Sequence, residues 1–123
     1  MPQGGIDAGE TPESAALREL REEIGTDKAV MIGAIERWLS YDVPPALADR
    51  VWGGRFRGQR QRWFALRFTG ADKDVDLMAH GEVEFSEWRW MKLSELPKSV
   101  IGFKRDIYAE VAAEFARFAA LRR

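Results

Sequence analysis

Three carboxylates, Glu19, Glu22 and Glu23, lie close together in the segment GETPESAALRELREEIG, residues 9–25. In a helix, at about 100° per residue, their side chains fall on one arc. Like charges at this spacing destabilise a helix by roughly a few tenths of a kcal/mol per pair, so the cluster needs a compensating cation. Arg18 and Arg21 supply part of that charge, and a solvated charged helix is the simplest explanation. Carboxylate oxygens are also the ligands that hard divalent cations prefer, which makes metal-assisted chemistry the alternative.

The same segment carries the start and stop signals of a helix. Thr11 followed by Pro12 predicts its beginning, because Thr caps free backbone N–H groups and Pro is tolerated at the first helical position. Gly25 predicts its end. Apolar residues at helical spacing, which we expect to form a buried stripe facing away from the carboxylates, are Ala16, Leu17, Leu20 and Ile24.

The rest of the chain predicts a sheet and a second helix that position the acidic helix. Segments rich in β-branched and aromatic residues predict strands over 28–43 (one long strand or two short ones), 60–68 and 84–91. In the last of these, Trp88 and Trp90 share a face, which we expect to pack into the core. The apolar spacing over 106–121 predicts a terminal helix that packs on the sheet. We therefore predict the α/β (α+β) class, with one domain over residues 1–123.

The composition excludes several kinds of site. Nineteen Lys and Arg nearly balance twenty Asp and Glu, so no field of the whole molecule indicates nucleic acid or a membrane as partner, and we expect no binding to DNA. The chain has no cysteine, which excludes disulfides and thiolate metal sites, and His80 is its single histidine, which excludes a metal site built from several histidines. No apolar run approaches the roughly 20 residues that span a bilayer. We expect a soluble cytoplasmic protein.

One motif joins the acidic residues into a larger pattern. Gly4, five residues, Glu10, seven residues and then R-E-L-x-E-E-x-G from Arg18 to Gly25 match the Nudix box, G-x5-E-x7-R-E-U-x-E-E-x-G-U, where U is a bulky aliphatic residue. Thr26 departs from the last position. The chain resembles the Nudix hydrolases, which hydrolyse nucleoside diphosphates linked to another moiety. This resemblance implies an α/β/α sandwich with a mixed sheet, a box that forms a loop, helix and loop, and a C-terminal helix.

The resemblance also implies a metal site. The positions that match the family's metal ligands are Gly4 (through its carbonyl), Glu19, Glu22, Glu23 and, outside the box, Glu84. Mg²⁺ is the implied cofactor, with Mn²⁺ or another divalent cation as an alternative. The implied catalytic residues are Glu22, Glu23, Glu84 and Arg18, of which Arg18 orients the carboxylates. Glu84 binds metal or acts as the base, unless it is an ordinary surface glutamate. His80 could accept a proton, although a loop histidine is more often incidental.

Four further segments narrow the resemblance: PQGGID, GQRQRWFALRF, EFSEWRW and FKRDIY. Together they resemble bacterial RNA pyrophosphohydrolases and the dinucleoside polyphosphate hydrolases of bacteria and plants. This likeness implies the substrate-binding residues Gln59, Gln61, Arg57, Phe103 and Lys104, with Phe103 stacking on the first base and Lys104 contacting phosphate. Arginines and aromatic residues interleave in WGGRFRGQRQRW, a pattern that suits phosphates and bases. The same alternation also suits core aromatic residues between solvated arginines.

The resemblance implies release of pyrophosphate from 5′-triphosphorylated RNA, the start of mRNA decay, with hydrolysis of a dinucleoside polyphosphate such as diadenosine tetraphosphate as the alternative. Relatives carry a strand pair before the segment that matches PQGG, so we expect an N-terminally truncated domain. A sheet that lacks these two strands exposes unpaired strand edges and apolar surface. An inactive remnant that binds nucleotide or RNA is therefore the alternative of another class. The box favours an enzyme, because a remnant has no need of mutually repelling carboxylates.

Overall fold

The computed structural model of the protein describes residues 1–42, 58–79, 87–100 and 102–119. Its elements, in chain order, are helix α1 (Pro12–Ile24), strand β1 (Ala29–Asp42), strand β2 (Gly58–Phe68), a 3₁₀ turn (Asp72–Asp74), a 3₁₀ segment (Leu93–Ser99) and helix α2 (Gly102–Ala119). Helices and a sheet together confirm the predicted fold class. No helix in these described ranges is long and apolar enough to cross a membrane.

Helix α1 begins and ends where the sequence predicts. The Thr11 hydroxyl accepts the backbone N–H of Ser14 at 3.1 Å, and the Ser14 hydroxyl accepts the backbone N–H of Thr11 at the same distance. These two bonds satisfy donors that the first helical turn leaves free. At the other end Gly25 has φ +76° and donates its N–H to the carbonyl of Arg21 at 2.9 Å. This left-handed conformation favours glycine, so the helix stops there.

The predicted buried stripe of α1 is partly wrong. Leu17 is 41% exposed, whereas Ala15 and Glu23 are 3% and 5% exposed. The reason is that the segment before the helix covers its acidic side, where the backbone N–H of Gln3 donates to the Glu23 carboxylate at 2.8 Å. The arc that carries the carboxylates is therefore partly buried and does not face solvent throughout.

Strands β1 and β2 form a two-stranded sheet within the described residues. The strands run antiparallel, and just beyond their paired ends the backbone N–H of Thr69 donates to the carbonyl of Lys28 at 2.8 Å. Their bounds differ from the predicted segments 28–43 and 60–68 by at most two residues. Each strand contributes residues to both of the compact units into which the chain divides.

The described part of the strand predicted over 84–91 does not form a strand. Residues 84–86 lie outside the described residues, and residues 87–91 have no regular secondary structure. Trp88 and Trp90 are 39% and 60% exposed, so the prediction that both pack into the core is wrong. Instead the two rings pack edge to face at 5.6 Å, and the Trp90 indole N–H donates to Asp72 at 2.8 Å. An exposed acceptor for that N–H holds the ring at the surface.

The two compact units are Met1–Ile32 with Leu66–Trp90, the first unit, and Gly33–Ala65 with Met91–Arg123, the second unit. The acidic helix belongs to the first unit. The core of the second unit lies between β1 and α2 and contains Ile35, Leu39, Ile107, Val111 and Phe115. Helix α2 supplies the last three at the spacing that predicted it, and Trp63 packs edge to face on Tyr108 at 5.5 Å. A single domain over residues 1–123 stays a prediction.

We predict that Gly25→Ala destabilises the protein more than Gly9→Ala. Both glycines have positive φ, +76° and +87°, which costs an alanine about 1 kcal/mol or more in each case. A methyl group at Gly25 would also overlap the backbone carbonyl of Asp76, whereas at Gly9 no atom of the described residues lies within 4 Å of the corresponding position. In urea unfolding we expect a loss of at least about 2 kcal/mol for Gly25→Ala. Equal losses for the two variants would contradict the close approach at Gly25.

Candidate active site

Arg18 of α1 lies at the centre of the candidate site, with its side chain 22% exposed. Its Nε donates to one carboxylate oxygen of Glu10 at 2.7 Å, and its Nη2 donates to the other at 3.0 Å. Nη2 also donates to the carbonyl of Gly5 at 2.8 Å. Because a two-point contact between guanidinium and carboxylate fixes both distance and orientation, Glu10 and Gly5 hold the arginine in one place.

The remaining nitrogen of Arg18 meets the box carboxylates. Nη1 donates to Glu19 at 2.7 Å and to the two oxygens of Glu22 at 3.1 and 3.3 Å. Glu22 follows Arg18 by one helical turn, a spacing that brings side chains together. A single guanidinium therefore touches Glu10, Glu19 and Glu22 and offsets part of their mutual repulsion.

The same contacts shift two pKa values. Hydrogen bonds from Arg18, followed by one from the backbone N–H of Asp7, lower the pKa of Glu10 below its ordinary value. Hydrogen bonds to Glu10 and Glu19 raise the pKa of Arg18 above its already high ordinary value. Both members of the pair are thus ionised at neutral pH, so the two-point contact between Arg18 and Glu10 persists there.

The loop before α1 closes over the other box carboxylates. The backbone N–H of Gln3 donates to Glu23, which is 5% exposed. A Cβ atom at Gly4 would overlap the carboxyl group of Glu19, so any larger residue there would displace that carboxyl group from its present position. Thr26, where the motif has an aliphatic residue, is 9% exposed and accepts the backbone N–H of Lys28 at 3.1 Å. Its hydroxyl therefore has a partner despite its burial.

The donor chemistry of this site fits a hard divalent cation. Arg18 contacts Glu10, Glu19 and Glu22 and lies 3.5 Å from Asp7, so four carboxylates face one guanidinium, a formal excess of three negative charges. Carboxylate oxygens, with waters, are the ligands that Mg²⁺ and Mn²⁺ take. Within the described residues, no three acidic or histidine side chains are already placed around one point as a metal cage. Arg18 lies between Glu19 and Glu22 instead.

The predicted substrate-binding residues fall in the second unit where the structure describes them. The side-chain oxygen of Gln61 accepts the indole N–H of Trp63 at 3.1 Å, and the Lys104 ammonium lies 5.8 Å from the ring of Tyr41. Gln59 lies in β2 and Phe103 in α2, but their side chains are outside the described residues, as are all of Arg57, His80 and Glu84. The roles assigned to these residues stay predictions.

Comparison with known proteins decides the family. A family model described as the NUDIX domain matches residues 1–111. This chain belongs to the Nudix family. The RNA pyrophosphohydrolase of Gluconacetobacter diazotrophicus is 60% identical to this Nudix chain over 117 residues, 95% of the chain and 70% of that protein. The RNA pyrophosphohydrolase of Rhodospirillum rubrum is 56% identical over 119 residues, 97% of the chain and 72% of that protein.

Membership of the Nudix family confirms the predicted enzyme class, a hydrolase that acts on phosphoanhydrides. Nudix hydrolases generally use divalent cations, in agreement with the excess of carboxylates around Arg18. One residue of this site was missing from the predicted site residues. Glu10, the two-point partner of Arg18, is a fixed position of the box, and that position was the signal from which its role could have been inferred.

We predict that Gly4→Ala lowers hydrolytic activity about tenfold or more, because the added methyl group displaces the Glu19 carboxyl group and small displacements in an active site are costly. Gly5→Ala is the matched control, since no atom in the described part of the chain lies within 4 Å of the corresponding position there. Both variants are assayed on one phosphoanhydride substrate with a saturating divalent cation, and thermal unfolding checks the fold. Similar activities of the two variants would contradict the contact between Gly4 and Glu19.

We predict that Glu10→Gln destabilises the protein at pH 7 and that this difference disappears in acid. The folded pKa of Glu10 lies below its ordinary value of 4.5, so its ionised form stabilises the fold above that pH. The stabilisation is lost as the pH falls through the folded pKa. Unfolding of wild type and variant is compared at pH 7 and at a series of decreasing pH values below 4.5. Glu13→Gln, on the exposed first turn of α1, is the control; a pH-independent effect of Glu10→Gln would contradict the ionic role.

Proposed function

We propose that this Nudix hydrolase is an RNA pyrophosphohydrolase, which releases pyrophosphate from the 5′-triphosphorylated end of RNA in the cytoplasm and so starts mRNA decay. The observation that supports the proposal most is the assembly of the box carboxylates around Arg18, in a chain that is 60% identical to a protein of that name. The substrate is a polyphosphate attached to a nucleoside, and hydrolysis breaks one of its phosphoanhydride bonds.

In this proposal Glu19, Glu22 and Glu23 hold Mg²⁺, or Mn²⁺, beside the triphosphate, and Glu84 is a further ligand or the base. When bound, the ions offset the charge of the phosphates and lower the pKa of the attacking water. Glu23 is already oriented by the N–H of Gln3, and Glu19 by its contact with the loop at Gly4. Side chains that are fixed before the substrate binds need little rearrangement during the reaction.

Arg18 acts as a positioning residue for these carboxylates. Its Nε and Nη2 contact Glu10 and the carbonyl of Gly5, whereas Nη1 alone contacts Glu19 and Glu22. Those two carboxylates can therefore turn toward a cation while Arg18 keeps its contacts with Glu10 and the carbonyl of Gly5. Before a cation binds, Nη1 limits the repulsion between them, and afterwards the guanidinium remains beside the site as a fixed positive charge.

The substrate-side roles remain those that the resemblance implies. Lys104, near the ring of Tyr41, contacts a phosphate, and Phe103 of α2 stacks on the first base. Gln59, Gln61 and Arg57 contact the substrate from β2 and the segment before it. A nucleoside with a polyphosphate chain satisfies all of these contacts, because they require one base and several phosphates.

We predict that Glu22→Gln abolishes Mg²⁺-dependent release of pyrophosphate from triphosphorylated RNA, because an amide oxygen is a weaker ligand than a carboxylate and adds no charge to the site. Thermal unfolding should change little, since the Glu22 side chain is 42% exposed. Glu13→Gln makes the same chemical change in the same helix, on its exposed first turn, and should leave the reaction intact.

The same assay offers diadenosine tetraphosphate beside triphosphorylated RNA. Release of pyrophosphate from RNA at the higher kcat/KM supports the proposal. Preference for diadenosine tetraphosphate would assign the chain to the dinucleoside polyphosphate hydrolases instead. Full activity of Glu22→Gln would overturn the metal assignment, and a wild-type protein that binds RNA without hydrolysing either substrate would identify an inactive remnant.

A further inference from the structure

A cluster of one tryptophan and two arginines lies on the sheet of the second unit. The guanidinium carbon of Arg60 is 5.1 Å from the ring centre of Trp38, and that of Arg62 is 5.6 Å from it. Arg62 lies at the same distance, 5.6 Å, from the ring of Phe64. We call Trp38, Arg60 and Arg62 the tryptophan–arginine cluster. The proposed function uses none of these residues.

The cluster lies on the face of the sheet away from the core. Side chains alternate between the two faces of a strand. On β1, Ile35 and Leu39 are buried in the core while Trp38 is 42% exposed, and on β2 Trp63 and Ala65 pack against that same core. Arg60 and Arg62, which alternate with these residues, therefore share the outer face with Trp38. Gln61, the proposed substrate contact, lies two residues before Trp63 on β2 and therefore on the same face as Trp63, opposite the tryptophan–arginine cluster.

Within the described residues, the positive charge of this outer face is neutralised only in part, by Glu36. Arg60 is exposed and has no acidic partner in that part of the chain. Arg62 donates to the carbonyl of Ile35 at 3.2 Å and lies 3.9 Å from the carboxylate of Glu36, whose side chain is 93% exposed. The Arg62 side chain is only 16% exposed and packs against the rings of Trp38 and Phe64, so the exposed charge of the cluster is mainly that of Arg60. Because a cation–π contact is made with a ring and not with a hydrogen-bond acceptor, it leaves N–H donors of Arg60 free for an anion.

We propose that the tryptophan–arginine cluster binds the RNA chain downstream of its 5′ end, as a second contact made by residues that the proposed hydrolytic site does not use. The inference rests on the proposed function, because it takes RNA to be the substrate. The exposed part of the Trp38 indole offers a surface for a base, and the exposed guanidinium of Arg60 beside it meets a neighbouring phosphate. Single-stranded RNA supplies both groups along one chain, at a spacing that repeats with every nucleotide. The cluster thereby makes longer RNA a better substrate than a short one.

The test compares a triphosphorylated dinucleotide with a triphosphorylated RNA of about eight nucleotides, a length within the site sizes of single-strand binders. Wild-type enzyme should have a lower KM for the longer RNA. In Trp38→Ala and Arg60→Gln, KM for the longer RNA should rise about five- to tenfold, the loss expected for one stacked base, while kcat and the KM for the dinucleotide stay unchanged. Trp38→Phe should restore most of the affinity, because a phenyl ring also stacks.

Arg67→Gln is the matched control, since Arg67 is an exposed arginine of the same strand without a described aromatic contact. It should leave the length dependence intact. Arg60→Gln should also reduce the slope of log affinity against log salt concentration by about 0.7, the value for one lost phosphate contact on a single strand. A change in folding alone would not produce that reduction, and thermal unfolding of each variant checks it independently.

The inference fails if the wild-type KM does not depend on RNA length. It also fails if Trp38→Ala and Arg60→Gln both keep the wild-type dependence of KM on RNA length. It also fails if polyglutamate of equal charge displaces the RNA as well as RNA does, because the surface would then bind any polyanion. Failure of the proposed function has a different signature, namely no release of pyrophosphate from either RNA. In that case, binding of a 5′-hydroxyl RNA of the same length, followed by fluorescence anisotropy, still shows whether the cluster holds an RNA chain.

Discussion

The contacts of one guanidinium group constrain the candidate active site more than any other interaction. Arg18 joins Glu10 to Glu19 and Glu22, which would otherwise repel each other along one side of α1. Its anchor at Glu10 and Gly5 comes from outside the helix, so the arrangement depends on the loop before α1 as well as on helical spacing. The ion pair therefore couples the position of the loop to the positions of the carboxylates.

The buried side of α1 shows how this coupling is maintained. An ionised carboxylate is costly to bury unless donors satisfy it, and at Glu23 the donor is the backbone N–H of Gln3. Gly4 then lets the loop lie against Glu19 with no side chain between them. A cluster that would be a solvated surface on an isolated helix becomes a partly buried acidic site once the loop covers part of it. Such a site suits a divalent cation better than a fully solvated acidic surface does.

Much of the fold could be predicted from the sequence because its signals are local. Thr11 and Pro12 mark the start of α1 and Gly25 marks its end through bonds that span a few residues. Alternating and helical apolar patterns likewise predict β1, β2 and α2 to within a few residues. The box supplied the identity of the acidic residues, because its spacing is a property of the chain alone. Residues 87–91 of the strand predicted over 84–91 do not form a strand, and there Trp90 donates to an exposed acceptor, Asp72, which no local pattern indicates.

The sequence by itself determined the secondary structure around the site, the presence of the carboxylates on one helix and the resemblance to the Nudix hydrolases. Only the tertiary structure decided that Glu10 is the principal partner of Arg18, that Glu23 is buried and Leu17 exposed, and that Trp38 and Arg60 meet on one face. The physical reason is that helical and strand periodicities fix which side chains share a face. They do not fix which other segment of the chain covers that face, since that depends on contacts between residues far apart in sequence.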